Sequence, residues 1–261
     1  RILESVMILV GVGCSVVAIA VTEMVLFRRP TKRLSTADLE LAGVEGVSAE
    51  TKVLSGIERT LIKDAFLDGP DFKWMAGGPA ASEDVHRRVT GYLVECFLRH
   101  GEQYGNVLTV RDRDNALLGA LCLVPPYESL WLQKAHFLRS VVSLGIPEPA
   151  RIGKDVNARV DAFLDGTEAV VHELMHNRPF WYVVSLAVVS NAQGKGVGKR
   201  LMEAALKIAG AAPLYLECHD GNVVFYERCG LQRERHYPLV SKGPDVESNE
   251  LPYNAMVRWG D

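Results

Sequence analysis

The residues with the clearest chemical potential are Gln193-Gly194-Lys195-Gly196-Val197-Gly198. They stand between an apolar run and a stretch of helical periodicity. A helix starting there presents free backbone N–H groups and the positive end of its dipole. Glycines leave those N–H groups uncovered, so the arrangement suits a phosphate or a pyrophosphate. Lys195, Lys199 and Arg200 add positive charge. The P-loop pattern is not completed, because no Ser or Thr follows in the required place. The dinucleotide fingerprint G-x-G-x-x-G also fails, because Lys199 and Arg200 follow Gly198. A second chemical pattern is His172-Glu173-Leu174-Met175-His176. On a helix, H-E-x-x-H sets two imidazoles one turn apart as zinc ligands, with the glutamate as base. A third ligand is needed, and Asn177-Arg178-Pro179 follows instead of the metzincin continuation. A zinc protease is therefore kept only as an alternative. The segment reads as a helix end, with His176 near a pocket entrance and His172 packed or at the surface; no metal is expected.

The elements around the Gly-rich turn are legible. Trp181 to Val189 is aromatic and aliphatic apart from Ser185, as in a strand covered on both faces. Ser190, Asn191 and Ala192 supply turn chemistry. Val197, Leu201, Ala204 and Ile208 share one face of the following helix, and Gly210 ends it.

Gln193-x-x-Gly196-x-Gly198, after a strand containing Leu186-Ala187-Val188, resembles the acetyl-CoA motif of the GNAT N-acetyltransferase superfamily. Pro213-Leu214-Tyr215-Leu216-Glu217 and Asn222 to Gly230 are similar to that family's next strand and helix, and Met256-Val257-Arg258 to its last strand. The wording is nearest to the small-molecule acetyltransferases that include puromycin N-acetyltransferase. A weaker similarity, Ala65 to Trp74, touches their first helix.

The resemblance implies an α/β fold, the GNAT acyl-CoA N-acyltransferase fold, with a mixed, strongly bent sheet and helices on both faces. It implies acetyl-CoA as cosubstrate and direct transfer to a small amine in a ternary complex. The coenzyme strand would carry a bulge, and pantetheine would pair with the backbone at Leu186, Ala187 and Val188. The pyrophosphate would lie on Gln193, Gly194, Lys195, Gly196, Val197, Gly198 and Lys199. Tyr226 resembles the family tyrosine near the coenzyme sulfur, where a phenol can give a proton to a leaving thiolate. Asn222 would cap the last helix and touch the pantetheine side. Glu217, at a strand's C-terminal end, faces the side of the sheet where ligands bind, and could take the proton of an incoming ammonium. No covalent role is expected of Cys218. A non-catalytic acyl-CoA-binding module is the alternative from another class.

The chain has 261 residues, 48% hydrophobic and 23% charged, with a net charge of −3. No dense basic block suggests nucleic-acid binding. Five widely spaced cysteines without C-x-x-C argue against a disulfide framework. Met7 to Phe27 carries one charged residue, Glu23, and Arg28, Arg29, Lys32 and Arg33 follow. That length and flank suit a membrane anchor with the body in the cytosol; a cleaved signal or a buried extra helix are the alternatives. The expected division is thus residues 1–33 as a hydrophobic segment and 34–261 as the catalytic domain, which is cytosolic if that segment is an anchor or a buried helix. Pro30 to Gly46 reads as a polar linker. Helices are expected over Lys52–Leu67, with Val53, Ile57, Leu61 and Ala65 inward, then Ser82–Leu98, Ser129–Leu144 and Val156–Met175. A hairpin is expected over Asn106–Arg111 and Ala116–Val124.

Overall fold

A computed structural model describes residues 33–50, 53–127, 130–145, 147–176, 178–241 and 250–260. The apolar stretch 7–27 lies outside the described residues. The expected central strand forms as β4 (Trp181–Val188). On one side of it lie β3 (Leu117–Val124), β2 (Asn106–Arg111) and β1 (Ser48–Glu50). On the other lie β5 (Leu214–His219), β7 (Glu250–Arg258) and β6 (Gln232–Val240). The seven-stranded order is β1-β2-β3-β4-β5-β7-β6. Only β4 and β5 run parallel. The sheet is therefore mixed, as expected.

The helices cover both faces. Alternation along β5 shows why: Tyr215 belongs to one apolar cluster, and Leu214, Leu216 and Cys218 to the other. The first cluster packs α2 (Gly56–Phe66), α3 (Pro70–Met75), α4 (Glu83–Tyr104), α5 (Leu130–Val142), α6 (Glu148–Ile152) and α7 (Lys154–Met175). The second packs α1 (Thr36–Leu41), α8 (Val197–Ala209) and α9 (Asp220–Arg228). In α8 the expected face is the buried one: Val197, Leu201 and Ala204 are at most 4% exposed.

Three expectations change. The linker contains α1, started by a capping box in which Ser35 and Asp38 exchange hydrogen bonds, and it leads into β1. Of the expected face, Val53 lies ahead of α2 and is 68% exposed, Ile57 is 76% exposed and only Ala65 packs against the core, whereas Ile62, off that face, is buried. That helix starts later, at the Ser55–Glu58 capping box. It is tied down by Arg59, which pairs with Glu95 at 2.6 Å and Glu102 at 2.5 Å on α4. A half-buried ion-pair network thus fixes the roll of α2, which apolar spacing alone had assigned to the other side. Finally, α4 extends to Tyr104, beyond the expected Leu98.

Candidate active site

The site starts from a failure of pairing. Strands β4 and β5 are in register only at Trp181–Leu214 and Tyr182–Tyr215. Beyond that point both continue, β4 to Val188 and β5 to His219, without pairing to each other. The cause is visible on the other edge of β4. Cys122 faces Ser185 and Leu123 faces Val183, so Val184 is an extra residue in the ladder. Such a bulge bends its strand and sharpens the local twist. The result is a wedge whose β4 wall, Val183 to Val188, has backbone groups on the β5 side without a strand partner. Leu186, Ala187 and Val188, the expected pantetheine contacts, lie on this wall.

The Gly-rich turn follows the end of that wall. A short 3-10 turn (Ser190–Ala192) leads through Gln193 to Gly196, the N-cap of α8. Gly194 and Gly196 have φ of 73° and 77°, a left-handed conformation that glycine adopts without strain. No atom lies within 4 Å of where a Cβ would stand on either. Gly198 serves close packing instead, since a Cβ there would meet the Phe225 ring at 3.2 Å. The side chains divide differently from expectation. Gln193 donates to the Val188 carbonyl at 3.3 Å, tying the turn to the strand end. Lys199 lies 3.5 Å from Glu203, and Arg200 donates to the Gly46 carbonyl at 2.8 Å. These side chains are thus engaged elsewhere, while the backbone of the turn is left open, and its N–H groups fit a pyrophosphate.

A cavity of about 210 Å³ opens on the wedge and contains Val183 to Leu186, Glu217, Asn222 and Tyr226 in its lining. Its other walls are α2, α3, α4, α5 and α7, with Phe66, Phe72, Phe97, Phe137 and Phe163. Glu217 Oε2 accepts from the Tyr182 hydroxyl at 2.8 Å, while Oε1 is buried without a hydrogen-bond partner. Burial, opposed by the tyrosine hydrogen bond, lifts its pKa to about 7. A carboxyl group poised there suits a general base near neutral pH. Burial raises the Tyr226 phenol well above its ordinary value. Burial also pushes the Cys218 thiol up to about 12, which suits packing rather than nucleophilic attack.

Two features were not expected. The cap of α9 is His219, not Asn222: its Nδ1 accepts from the Gly221 N–H at 3.1 Å, and its Nε2 lies 3.1 Å from the Asn222 amide. Asn222 is therefore inside the helix, held by His219 and turned toward the cavity. The second feature is Asp71, in the first turn of α3, which also lines the cavity. Its Oδ1 accepts from the Phe72 N–H at 3.1 Å, and its Oδ2 lies 3.5 Å from the Tyr253 hydroxyl. Burial raises its pKa, with His219 pulling the other way. In the sequence Asp71 follows Pro70 at a helix start, where an acidic residue needs no explanation beyond the helix dipole.

The H-E-x-x-H segment does not form a zinc helix. His176 has φ 44°, a left-handed end that takes it out of helical register, and Glu173 is paired with Arg235. It is His172, not His176, that lines the cavity. Among the described residues no group of three or more His, Cys, Asp or Glu is placed to hold a metal.

Comparison with known proteins agrees with this geometry. Residues 162–231, from within α7 through β4, α8, β5 and α9, match the acetyltransferase (GNAT) family. Residues 162–231 are thus similar to that family. Its match in the Mycobacterium leprae proteins is an uncharacterized protein, 38% identical over 92 residues, which is 32% of this chain and 25% of that protein. The chain thus spans about a quarter of that relative's length. Among solved structures, the Drosophila melanogaster polyamine N-acetyltransferase, an enzyme that forms N-acetylagmatine, superposes with a TM-score of 0.51 at 14% identity. It covers 82% of this chain and 99% of its own. That likeness shows the fold. A Corynebacterium glutamicum protein described as histone acetyltransferase HPA2 and related acetyltransferase matches at 21% identity and a TM-score of 0.45, over 80% of this chain and 95% of its own.

Proposed function

We propose that the protein transfers the acetyl group of acetyl-CoA to the nitrogen of a small amine, directly, within a ternary complex. The observation that carries this reading is the β4–β5 wedge, with the open glycine turn at one end and Glu217 and Tyr226 in the adjoining cavity. The backbone of Leu186, Ala187 and Val188, laddered to β3 on one side and without a strand partner on the β5 side, offers hydrogen bonds to an extended pantetheine arm, and an N–H on this wall can stabilise a developing oxyanion. The turn from Gln193 to Lys199 receives the pyrophosphate on its backbone, with Lys195 adding charge. Asn222, fixed by His219, contacts the coenzyme from α9.

Glu217 takes the proton from the attacking amine. The new N–C bond forms as the C–S bond breaks. Tyr226, whose phenol is a weaker acid than usual, stabilises the leaving thiolate chiefly by donating a hydrogen bond. Kinship with the puromycin N-acetyltransferase-like group is part of this reading and rests on the wording of residues 213–230. So is the division into residues 1–33 and a catalytic domain over 34–261, acting in the cytosol, with a possible membrane contact through residues 7–27. Nucleic acid has no place in it.

The test is thiol release from acetyl-CoA across a panel of primary amines, using wild type, Glu217→Gln and Tyr226→Phe. Amine-dependent thiol release that Glu217→Gln abolishes and Tyr226→Phe lowers, both retaining coenzyme binding, supports the proposal. Coenzyme binding without turnover for any amine would point to a binding module instead.

A further inference from the structure

The cavity beside the wedge has a charge pattern that names its ligand. Three carboxylates line it, and two of them, Asp71 and Glu217, have no lysine or arginine partner among the described residues. Asp71 accepts from the Phe72 N–H at 3.1 Å and lies 3.5 Å from the Tyr253 hydroxyl. Glu217 accepts from the Tyr182 hydroxyl on one oxygen, with the Tyr215 hydroxyl as its other polar neighbour. Tyr253, which reaches Asp71, lines the same cavity as Glu217. The remaining charged pair in the lining is self-contained, since Lys134 reaches Glu168 at 2.7 Å. Between these groups the walls are apolar: Phe97, Leu130, Phe137, Phe163, Leu164 and Val171.

Accepting that this cavity is the acceptor site, we propose that Asp71 captures the acceptor as its ammonium ion, and that the acceptor is a monoamine with an aromatic-sized apolar body. Burying an unpaired carboxylate is costly, and a ligand ammonium removes that cost while satisfying its own charge. Aromatic faces add attraction for the cation and cover the ligand's body. The amine then passes its proton to Glu217, which stands in the same lining next to the wedge. Asp71 is thus a binding residue for the charged form and Glu217 the group that neutralises it. With Glu217 taken up as the proton acceptor and Glu168 paired to Lys134, a second ammonium finds no free carboxylate, so a diamine is disfavoured.

The test is calorimetric titration of the full chain with phenethylamine, phenethyl alcohol and butanediamine, with and without CoA. Wild type is expected to bind phenethylamine about tenfold or more tightly than the neutral alcohol, as a charge-assisted hydrogen bond requires. In Asp71→Asn that preference should fall below about threefold, with acetyl-CoA affinity unchanged; Asp71→Glu should retain it. Butanediamine binding as tightly as phenethylamine would overturn the proposal. So would absence of phenethylamine binding, or an unchanged preference in Asp71→Asn. The wild-type comparison stands even if a variant fails to fold. Loss of acetyl-CoA binding by wild type would instead sink the coenzyme reading, while the amine titrations without CoA still decide the role of Asp71.

Discussion

Replacing Glu217 by Gln is expected to stabilise the fold at neutral and alkaline pH while abolishing turnover. Glu217 sits in the cavity wall with one oxygen buried and unpartnered. Burial moves its pKa from an ordinary 4.5 to about 7. The native state therefore holds this proton more tightly than the unfolded chain. Folding loses stability as pH rises through the window from 4.5 to about 7, and the whole loss is in force above it. At ~1.4 kcal/mol for each tenfold change in proton affinity, the ionised form costs about 3 kcal/mol. Gln keeps an acceptor for the Tyr182 hydroxyl but carries no charge, so it removes this cost. The expected gain is up to about 3 kcal/mol at about pH 8, or several degrees in Tm for a chain of this size, and below about 1 kcal/mol at about pH 5. Thermal and urea denaturation of both proteins at the two pH values measures it, and thiol release reports the lost activity. A variant no more stable than wild type at the higher pH, or equally stabilised at both, would refute the assignment of Glu217 as a buried, strained base.

Three further outcomes follow from the same geometry. Tyr182→Phe removes the donor that favours ionised Glu217, so the midpoint of the kcat/KM profile should move up by about one pH unit; a downward shift would contradict the hydrogen bond's role. Tyr226→Phe should lower kcat by about tenfold to a hundredfold with KM for acetyl-CoA nearly unchanged, whereas a change in KM alone would mark the ring as packing. Gly119→Val would bring a Cβ within 2.8 Å of Val197 and 2.9 Å of the Ala187 carbonyl, forcing α8 away from β4. It should cost about 1–3 kcal/mol in urea denaturation and weaken coenzyme binding together with it.

The parts legible in the sequence were those fixed by local chemistry. The strand at Trp181–Val188, the turn at Gly194 and Gly196, and the inward face of α8 follow from apolar runs, backbone freedom and helical spacing. The wedge itself was not legible from spacing; it was expected only through the family resemblance. It depends on one extra residue, Val184, opposite β3, and no composition reveals a register. The orientation of α2 was misread because Val53, Ile57 and Leu61 form a good apolar stripe, yet Arg59 binds Glu95 and Glu102 from the other side. Asp71 was missed for a similar reason. Its cavity neighbours come from residues far apart in the chain, and only the packing of α3 against Tyr253 brings it into the same cavity as Glu217. The cap assignment at Asn222 failed because His219, three residues earlier and the last of β5, supplies a ring nitrogen to Gly221.

The most direct test of the account is a calorimetric titration of acetyl-CoA into the full chain and into its Gly196→Asp variant. Gly196 caps α8 at φ 77° with open space around it, so an aspartate there puts a carboxylate where the pyrophosphate belongs, at a stability cost of about 1–2 kcal/mol. The account predicts binding of about micromolar strength in wild type, lost in a variant that remains folded. A folded wild-type protein that does not bind acetyl-CoA, or a variant that binds it equally well, would contradict it.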